Sequence, residues 1–277
     1  MIIIADSGST KTNWAIVDND IRYIETIGLN PNFISDEQLQ KNIFQVFEHI
    51  DTSRVQAVHF FGSGCGLETN KQRLKICFEK FISSPDIFID TDLTGAAIAL
   101  FGREKGIACI LGTGANAGLY DGEKIIHTPK SLGYILGDAG SGAVLGMSLL
   151  KLYLQNKLPI DIAQKLEAAH NVDYPYLLEN VYKKERPNRF FATFTSFVSE
   201  YRDVPIIQNL LTEQFNEFFR YFIFPYLEAR TNPVRMAGSV AFYFQNELKE
   251  IAKKHDIVID TIIRQPIKNL ITNIITK

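Results

Sequence analysis

Several short polar segments of this chain hold residue types that could do chemistry. In Asp6-Ser7-Gly8-Ser9-Thr10-Lys11-Thr12 a glycine-bearing turn joins two apolar runs. Small residues let a backbone approach an anion closely. The N–H groups of Gly8, Ser9 and Thr10, their hydroxyls and the Lys11 ammonium could then cradle phosphate oxygens. Asp6 closes the preceding apolar run and is placed to hold a metal ion through water, since Mg²⁺ dehydrates reluctantly. The plainer alternative is a hairpin whose Asp caps its own turn.

A second glycine turn, Gly112-Thr113-Gly114-Ala115-Asn116-Ala117-Gly118, changes that balance. A dinucleotide fingerprint would have to open a helix, whereas residues 117–120 read as a strand. Two phosphate-type hairpins, one opening each half of the chain, suggest a nucleotide clamped between two related domains. The third signal is the glycine loop from Gly133 to Gly142, with Asp138 as its lone carboxylate. The helix after it offers an N-terminus that favours an anion or a polar ligand group. The alternative there is a connecting loop with an Asx-turn. Asp90 and Asp92 flank another helix start, where an ionised carboxylate is stabilised and suits a general base. N-capping is the competing role for both, and Thr91 is a further candidate cap. Asp92, lying between the two phosphate turns, is the better catalytic candidate. Gly238-Ser239, between a strand and a helix, would let a flat ring lie on the backbone. Cys65 sits in a glycine turn with no His paired to it and reads as a small buried residue rather than a nucleophile. The five histidines lack metal-ligand spacing.

The elements that must position these residues follow from periodicity. Residues 2–5, 12–17, 21–27, 55–61 and 87–89 read as strands, and 36–49, 71–81 and 93–101 as helices. This is a mixed sheet flanked by helices. Residues 107–121 then repeat the opening layout of strand, glycine turn, strand and acidic turn. A domain boundary is therefore expected near residues 104–106, giving lobes over 1–105 and 106–266. Beyond Gly142 the chain turns helical and aromatic. Residues 174–188 look like an inserted, partly exposed segment, and 215–226 like core. A short strand at 234–237, one helix through 254, a strand at 257–263 and a final helix from 267 complete the pattern.

The 277 residues, 46% hydrophobic and 22% charged, can bury a real core. Lys+Arg total 29 and Asp+Glu 31, a net charge of −2, which supplies no electrostatic footprint for nucleic acid or an anionic membrane. No apolar run reaches the ~18–20 residues of a membrane span. Three widely spaced cysteines fit a reducing cytoplasm.

As a set, residues 6–12, Asp92-Leu-Thr-Gly-Ala-Ala97, Gly112-Thr-Gly-Ala-Asn116, Gly137-Asp-Ala-Gly-Ser141 and Ala237-Gly-Ser-Val-Ala241 resemble the BadF/BadG/BcrA/BcrD-type ATPase family of the actin/hexokinase/heat-shock ATPase superfamily. Within it they are most similar to N-acetylglucosamine kinases. The resemblance implies an α/β, two-lobed actin-like ATPase (ribonuclease H-like) fold with ATP in the interdomain cleft. It implies Asp6 as the metal-associated residue, Gly8 to Lys11 as the first phosphate turn and Gly112-Thr113-Gly114 as the second. Asp92 would be the base and Gly238-Ser239 the adenosine-side turn. Asn32 would contact the sugar, with Asn116 near its hydroxyls. The loop from Gly133 would lie on the substrate side, and Asp138 would serve sugar or metal. The helix over 267–277 would pack back on the first lobe. The activity expected is ATP- and Mg²⁺-dependent phosphorylation of the 6-hydroxyl of N-acetylglucosamine, by a homodimer. N-acetylmuramic acid and glucosamine are the rival substrates, and a non-catalytic ATP-binding regulator is the rival class.

Overall fold

The computed structural model describes residues 1–83, 85–130, 132–226 and 231–276. The chain divides into two compact units. One comprises Met1–Glu104, Tyr120–Ile125 and Gln265–Lys277; the other comprises Lys105–Leu119 and Ile126–Arg264.

The first unit is built on a five-stranded sheet. Its strands are β1 (Ile2–Ser7), β2 (Lys11–Val17), β3 (Ile21–Ile27), β4 (Ala57–Gly62) and β5 (Asp86–Thr91), in the order β3-β2-β1-β4-β5. The meander β1-β2-β3 is antiparallel, while β1, β4 and β5 run parallel. Alternation along β1 sends Ile3, Ala5 and Ser7 to one face and Ile4 and Asp6 to the other. On the first face Ile3, Ala5, Trp14, Ile16, Val58 and Phe60 join a core with apolar residues of α1 (Asp36–Phe47) and α2 (Glu68–Glu79). Ser35 opens α1 with a full capping box, paired with Gln38. Over the second face runs α3 (Asp92–Phe101), whose first turn is capped by the Thr91 hydroxyl.

A Cβ on Gly95 would stand 2.6 Å from the Phe61 Cβ, so the absence of a side chain is what lets α3 lie against β4. The last helix, α12 (Ile267–Ile275), packs on α3, and the Asn273 Nδ2 donates to the Ile98 carbonyl at 2.7 Å. Lys277, at the end of the segment expected as helix, lies outside the described residues.

The second unit carries the sheet β10-β9-β6-β7-β8, formed by β6 (Gly106–Leu111), β7 (Ala115–Tyr120), β8 (Ile125–His127), β9 (Val234–Ala237) and β10 (Ile259–Ile263). Read from the other end, its order matches the first sheet: three consecutive strands, then two later ones beside the first of them. That shared order is the structural form of the repeat seen in the sequence. Between β8 and β9 lie α4 (Gly142–Leu154), α5 (Ile160–Ala169), α6 (Tyr174–Leu178), α7 (Pro187–Ala192), α8 (Thr195–Glu200) and α9 (Pro205–Phe218). Phe215, Phe218, Phe219 and Phe222 are fully buried, so the aromatic stretch is core. Residues 174–188 form α6, a π-helical turn and the start of α7; they are partly exposed, as expected, and bury Leu177 and Asn180.

The single helix expected after β9 is broken into α10 (Ser239–Tyr243) and α11 (Gln245–Lys254). Phe244 leaves helical geometry at the break, with its ring buried against Phe215. A one-residue break of this kind leaves the apolar spacing almost untouched, so periodicity does not reveal it. Among the described residues no helix is long and apolar enough to cross a membrane.

The approach of α3 to β4 is testable. A Gly-to-Ala change in an open helix gains about 1 kcal/mol in propensity. At Gly95 the clash with Phe61 outweighs that gain, so Gly95→Ala is expected to lower unfolding free energy by ~1–3 kcal/mol in urea titrations. A neutral or stabilising result would show that α3 does not need this contact.

Candidate active site

In the first unit the candidate residues gather at the carboxyl ends of the parallel strands. The register places Asp6, Phe61 and Asp90 in one row across β1, β4 and β5, and Ser7, Gly62 and Thr91 in the next. Ligands of open α/β sheets commonly bind outside such strand ends. Here α3 begins directly after Thr91, which brings Asp92 close enough to Asp6 for the two carboxylates to repel.

The turn between β1 and β2 is held from below by a directed run of hydrogen bonds. The Leu29 N–H donates to the Ser7 Oγ at 3.0 Å, and the Ser7 and Thr12 hydroxyls lie 2.8 Å apart. Thr12 in turn donates to the Ile27 carbonyl at 3.0 Å. Both hydroxyls are fully buried and committed to protein partners. That leaves Gly8, Ser9 and Thr10 as the part of the turn able to meet a ligand. The Gly8 N–H donates to Lys11 O at 3.0 Å, and the Gly28 N–H to Thr10 O at 3.0 Å. A Cβ on Gly28 would stand 2.3 Å from Gly8 O, so only glycine lets the chain after β3 pass under the turn. Lys11 pairs with Glu25 at 2.5 Å on an exposed surface. Exposed pairs of this kind contribute only ~0–1 kcal/mol, and an anion could compete for the lysine.

Thr91 settles the competition for the cap of α3: its hydroxyl accepts from Thr94 N at 3.1 Å. Asp90 is engaged by Lys71 at 3.2 Å and by the Thr91 N–H at 2.8 Å. Asp92 stands in the first helical turn, its Oδ1 accepting the Leu93 N–H at 3.0 Å. Asn32 lies in an exposed bend fixed by residues far along the chain. Arg73 donates to Pro31 O at 2.6 Å and Ile34 O at 3.1 Å and pairs with Asp36 at 2.7 Å. Asn70 Nδ2 donates to Asn32 Oδ1 at 2.7 Å. Burial pushes the Cys65 thiol up to about 12, which removes it as a nucleophile.

In the second unit the glycine turn, the Asp138 loop and the β9 end form another group. Gly112 N donates to Gly114 O at 3.0 Å, and the first N–H groups of α4 close on the turn: Gly142 N to Gly112 O at 2.7 Å and Ala143 N to Thr113 O at 3.1 Å. Asp138 adopts a positive φ of 52°. Its carboxylate points at the turn, since a Cβ on Gly114 would lie 3.1 Å from Oδ2. Asn116 lies one strand position beyond, its Oδ1 held by the Ala117 N–H at 2.9 Å. Gly238 has a φ of 127°, and a Cβ there would meet Leu111 O at 2.3 Å. It brings the start of α10, with Ser239, against the β6 end. Gly133 begins the loop with a φ of 74° and accepts the Gly137 N–H at 2.7 Å.

The site in the first unit thus includes Gly28, Asn70 and Arg73, together with Asn13, whose side chain hydrogen-bonds Asp6; the sequence singled out none of them as functional. Only Gly28 left a local trace, as the glycine opening Gly28-Leu29-Asn30-Pro31-Asn32.

Two proteins named "putative N-acetylglucosamine kinase" share the architecture. The one from Porphyromonas gingivalis is 34% identical, with a TM-score of 0.92, over 99% of this chain and 98% of that one. The one from Chromobacterium violaceum is 16% identical, with a TM-score of 0.76, over 98% of each chain. A ROK family glucokinase from Streptomyces griseus, in complex with glucose and AMPPNP, has the same fold at 13% identity and a TM-score of 0.51, over 98% of this chain and 97% of that one. No family model and no curated protein matches the chain.

Asp6 is strongly perturbed by its surroundings. Loss of solvent and, second, the neighbouring Asp92 charge raise its carboxyl to about 7; the Asn13 amide and Lys11 oppose this only in part. Its proton affinity in the folded state therefore exceeds the unfolded value of 3.8. Between pH ~4 and ~7 the native state binds more protons than the unfolded one, so this group's contribution is fully present below pH ~4 and lost as pH rises through ~7. Asp6→Asn removes that dependence. Its advantage in unfolding free energy over the wild-type protein, without nucleotide or metal, is expected to grow from pH 4 to pH 7.5, to an amount on the order of a few kcal/mol, and its Tm advantage is expected to widen with it. A pH-independent difference in thermal melts would mean that Asp6 is not strained by its surroundings.

Proposed function

The chain belongs to the family of sugar kinases built on the actin-like ATPase fold, and from that premise we propose that it transfers the γ-phosphoryl group of ATP to the 6-hydroxyl of N-acetylglucosamine. The BadF/BadG/BcrA/BcrD-type branch is the part of the superfamily that its motifs support. The observation that carries the reading is the division of labour at the start of α3. Thr91 caps the helix and Asp90 is engaged by Lys71, while Asp92 stands in the first turn of α3 beside Asp6, where the acid–base role is assigned to it.

In this reading Asp92 accepts the proton of the attacking hydroxyl. The N–H groups around Gly8 to Thr10 and around Gly112 to Gly114, with Lys11, bind the phosphates as fixed donors. Donors already in place stabilise the charge of the transferring group without reorganising. Gly238-Ser239 borders the adenosine, and Asn32 and Asn116, with the Gly133 to Asp138 loop, hold the sugar.

The carboxylates also fit a divalent cation. Asp6 is a hard oxygen donor, poorly solvated and beside a second carboxylate, so a cation would relieve both penalties. Among the described residues no group of three or more His, Cys, Asp or Glu could hold a metal. Mg²⁺ is the cation of this reading, because it keeps several waters and takes few protein ligands. When bound, Mg²⁺ supplies neutralisation of the β- and γ-phosphate charge. Three free, buried cysteines agree with a cytoplasmic setting.

ADP release measured with N-acetylglucosamine, N-acetylmuramic acid and glucosamine tests the substrate. N-acetylglucosamine is expected to have the highest kcat/KM, and sugar-independent or absent turnover would favour the regulator. Asp92→Asn is expected to lower kcat by about 10²–10⁴ and to leave nucleotide affinity unchanged. Near-normal turnover in that variant would remove Asp92 from the reaction.

A further inference from the structure

We propose that Asn70 is a positioning residue that sets the polarity of Asn32, so that Asn32 offers the ligand an N–H donor and not an oxygen acceptor. The inference rests on the proposed contact between Asn32 and the sugar, but its evidence is separate.

An asparagine amide can turn over, exchanging its donor and acceptor ends at little cost, unless its neighbours forbid it. The neighbours of Asn70 do. It is only 6% exposed, on the first turn of α2, and it donates to the Gly64 carbonyl at 2.8 Å. A backbone carbonyl can only accept, so the end of Asn70 that faces it must be the nitrogen. The same nitrogen reaches the Asn32 side chain at 2.7 Å. Asn32 must therefore turn its Oδ1 inward, toward Asn70, and its Nδ2 away from it.

Polarity thus passes from a backbone group whose character is fixed, through a buried amide, to an exposed one. The rest of the bend preserves the arrangement. Asn30 Oδ1 accepts the Asn32 N–H at 3.0 Å, fixing the backbone from which the amide projects. Gly64 has a φ of 84°, and a Cβ there would stand 2.2 Å from Asn30 Oδ1 and 3.1 Å from Asn32 Nδ2. The carbonyl that orients Asn70 thus comes from a position that leaves room for both asparagines. The ligand atom that suits this arrangement is an oxygen with a lone pair, on a sugar hydroxyl or an acetamido carbonyl.

Asn70→Asp tests the inference at nearly constant shape. An aspartate has only acceptors, so Asn32 should turn over and present Nδ2 to it. Exchange of the Asn32 side-chain amide protons, followed by NMR in the protein without sugar, is expected to slow at least about tenfold in Asn70→Asp. The KM for the sugar is expected to rise by about tenfold to a hundredfold, with the KM for ATP unchanged. In an Asn32→Ala background the substitution should cost nothing further in sugar KM. Asn70→Ser, which is too short to reach Asn32, provides a second variant if the aspartate does not fold; it should raise the sugar KM and leave Asn32 exchange fast.

Unchanged exchange in Asn70→Asp, or a KM penalty that persists without Asn32, would overturn the positioning role. Absence of sugar turnover in the wild-type protein would overturn the kinase reading instead, and the exchange measurement would still decide the orientation of Asn32.

Discussion

Because β1, β4 and β5 run parallel and in step, Ser7, Gly62 and Thr91 end level with one another, and three chain exits leave the first sheet along one edge. At that edge the sheet ladder stops, and the backbone groups there need other partners. Each exit solves the problem in its own way. Ser7 O accepts from Ser63 N at 2.9 Å, so the β1 and β4 exits satisfy one another. Thr91 places its hydroxyl on the first turn of α3. Once these positions are taken, the carboxylates of Asp6, Asp90 and Asp92 fall within a few residues of a common edge. Their proximity is a consequence of register: a one-residue slip would send Asp6 to the opposite face.

Crowding three acids at one edge is unfavourable, and the surroundings compensate unequally. Asp90 receives the Lys71 ammonium. Asp6 receives only the Asn13 amide and a distant share of Lys11, which pairs more directly with Glu25. The remaining order is supplied by neutral groups whose hydrogen bonds have a direction. Leu29 to Ser7 to Thr12 to Ile27 is one such run, and Gly64 to Asn70 to Asn32 is another. In both, a backbone group with a single possible role fixes the sense of every side chain in the run. A chain with a net charge of −2 can in this way present defined donors to an anionic ligand without a basic surface, which would attract nucleic acid indiscriminately.

This explains what was legible in the sequence. The apolar run of residues 2–5, the alternation of 12–17 and the glycine turn between them are local features, and they put Asp6 near a strand end, although β1 runs one residue further, to Ser7. The return of the same layout at residues 107–121 showed that a second strand–turn–strand unit begins there, but the matching order of the two sheets is seen only in the fold. Asp92 was preferred to Asp90 from its place between the two glycine turns, but which residue caps α3 was not legible, because Asp90, Thr91 and Asp92 all could; the Thr91 hydroxyl takes that role, and Asp90 meets a lysine 19 residues away. Asn70 and Arg73 act on a bend 38 and more residues earlier. No periodicity within α2 distinguishes them from other polar residues of a helix. The three-residue β8 and the break at Phe244 were hidden for a related reason: each depends on packing partners rather than on its own spacing.

The duplicated topology produces two edges of one design whose residues have diverged in chemistry. In the first unit the strand ends carry Asp6, Asp90 and Asp92. In the second the corresponding exits of β6 and β9 are Gly112 and Gly238. Nothing lies within 4 Å of where a Gly112 Cβ would be, and Gly238 fits only because it has none. An anion can approach Gly112 as closely as backbone atoms allow, with N–H dipoles as its partners. The same anion meets repulsion at the Asp6–Asp92 edge unless a cation or a proton intervenes. The two edges therefore differ in electrostatic character. The glycine edge presents neutral N–H donors, whereas the first edge sets carboxylate oxygens beside the Gly8 to Thr10 turn.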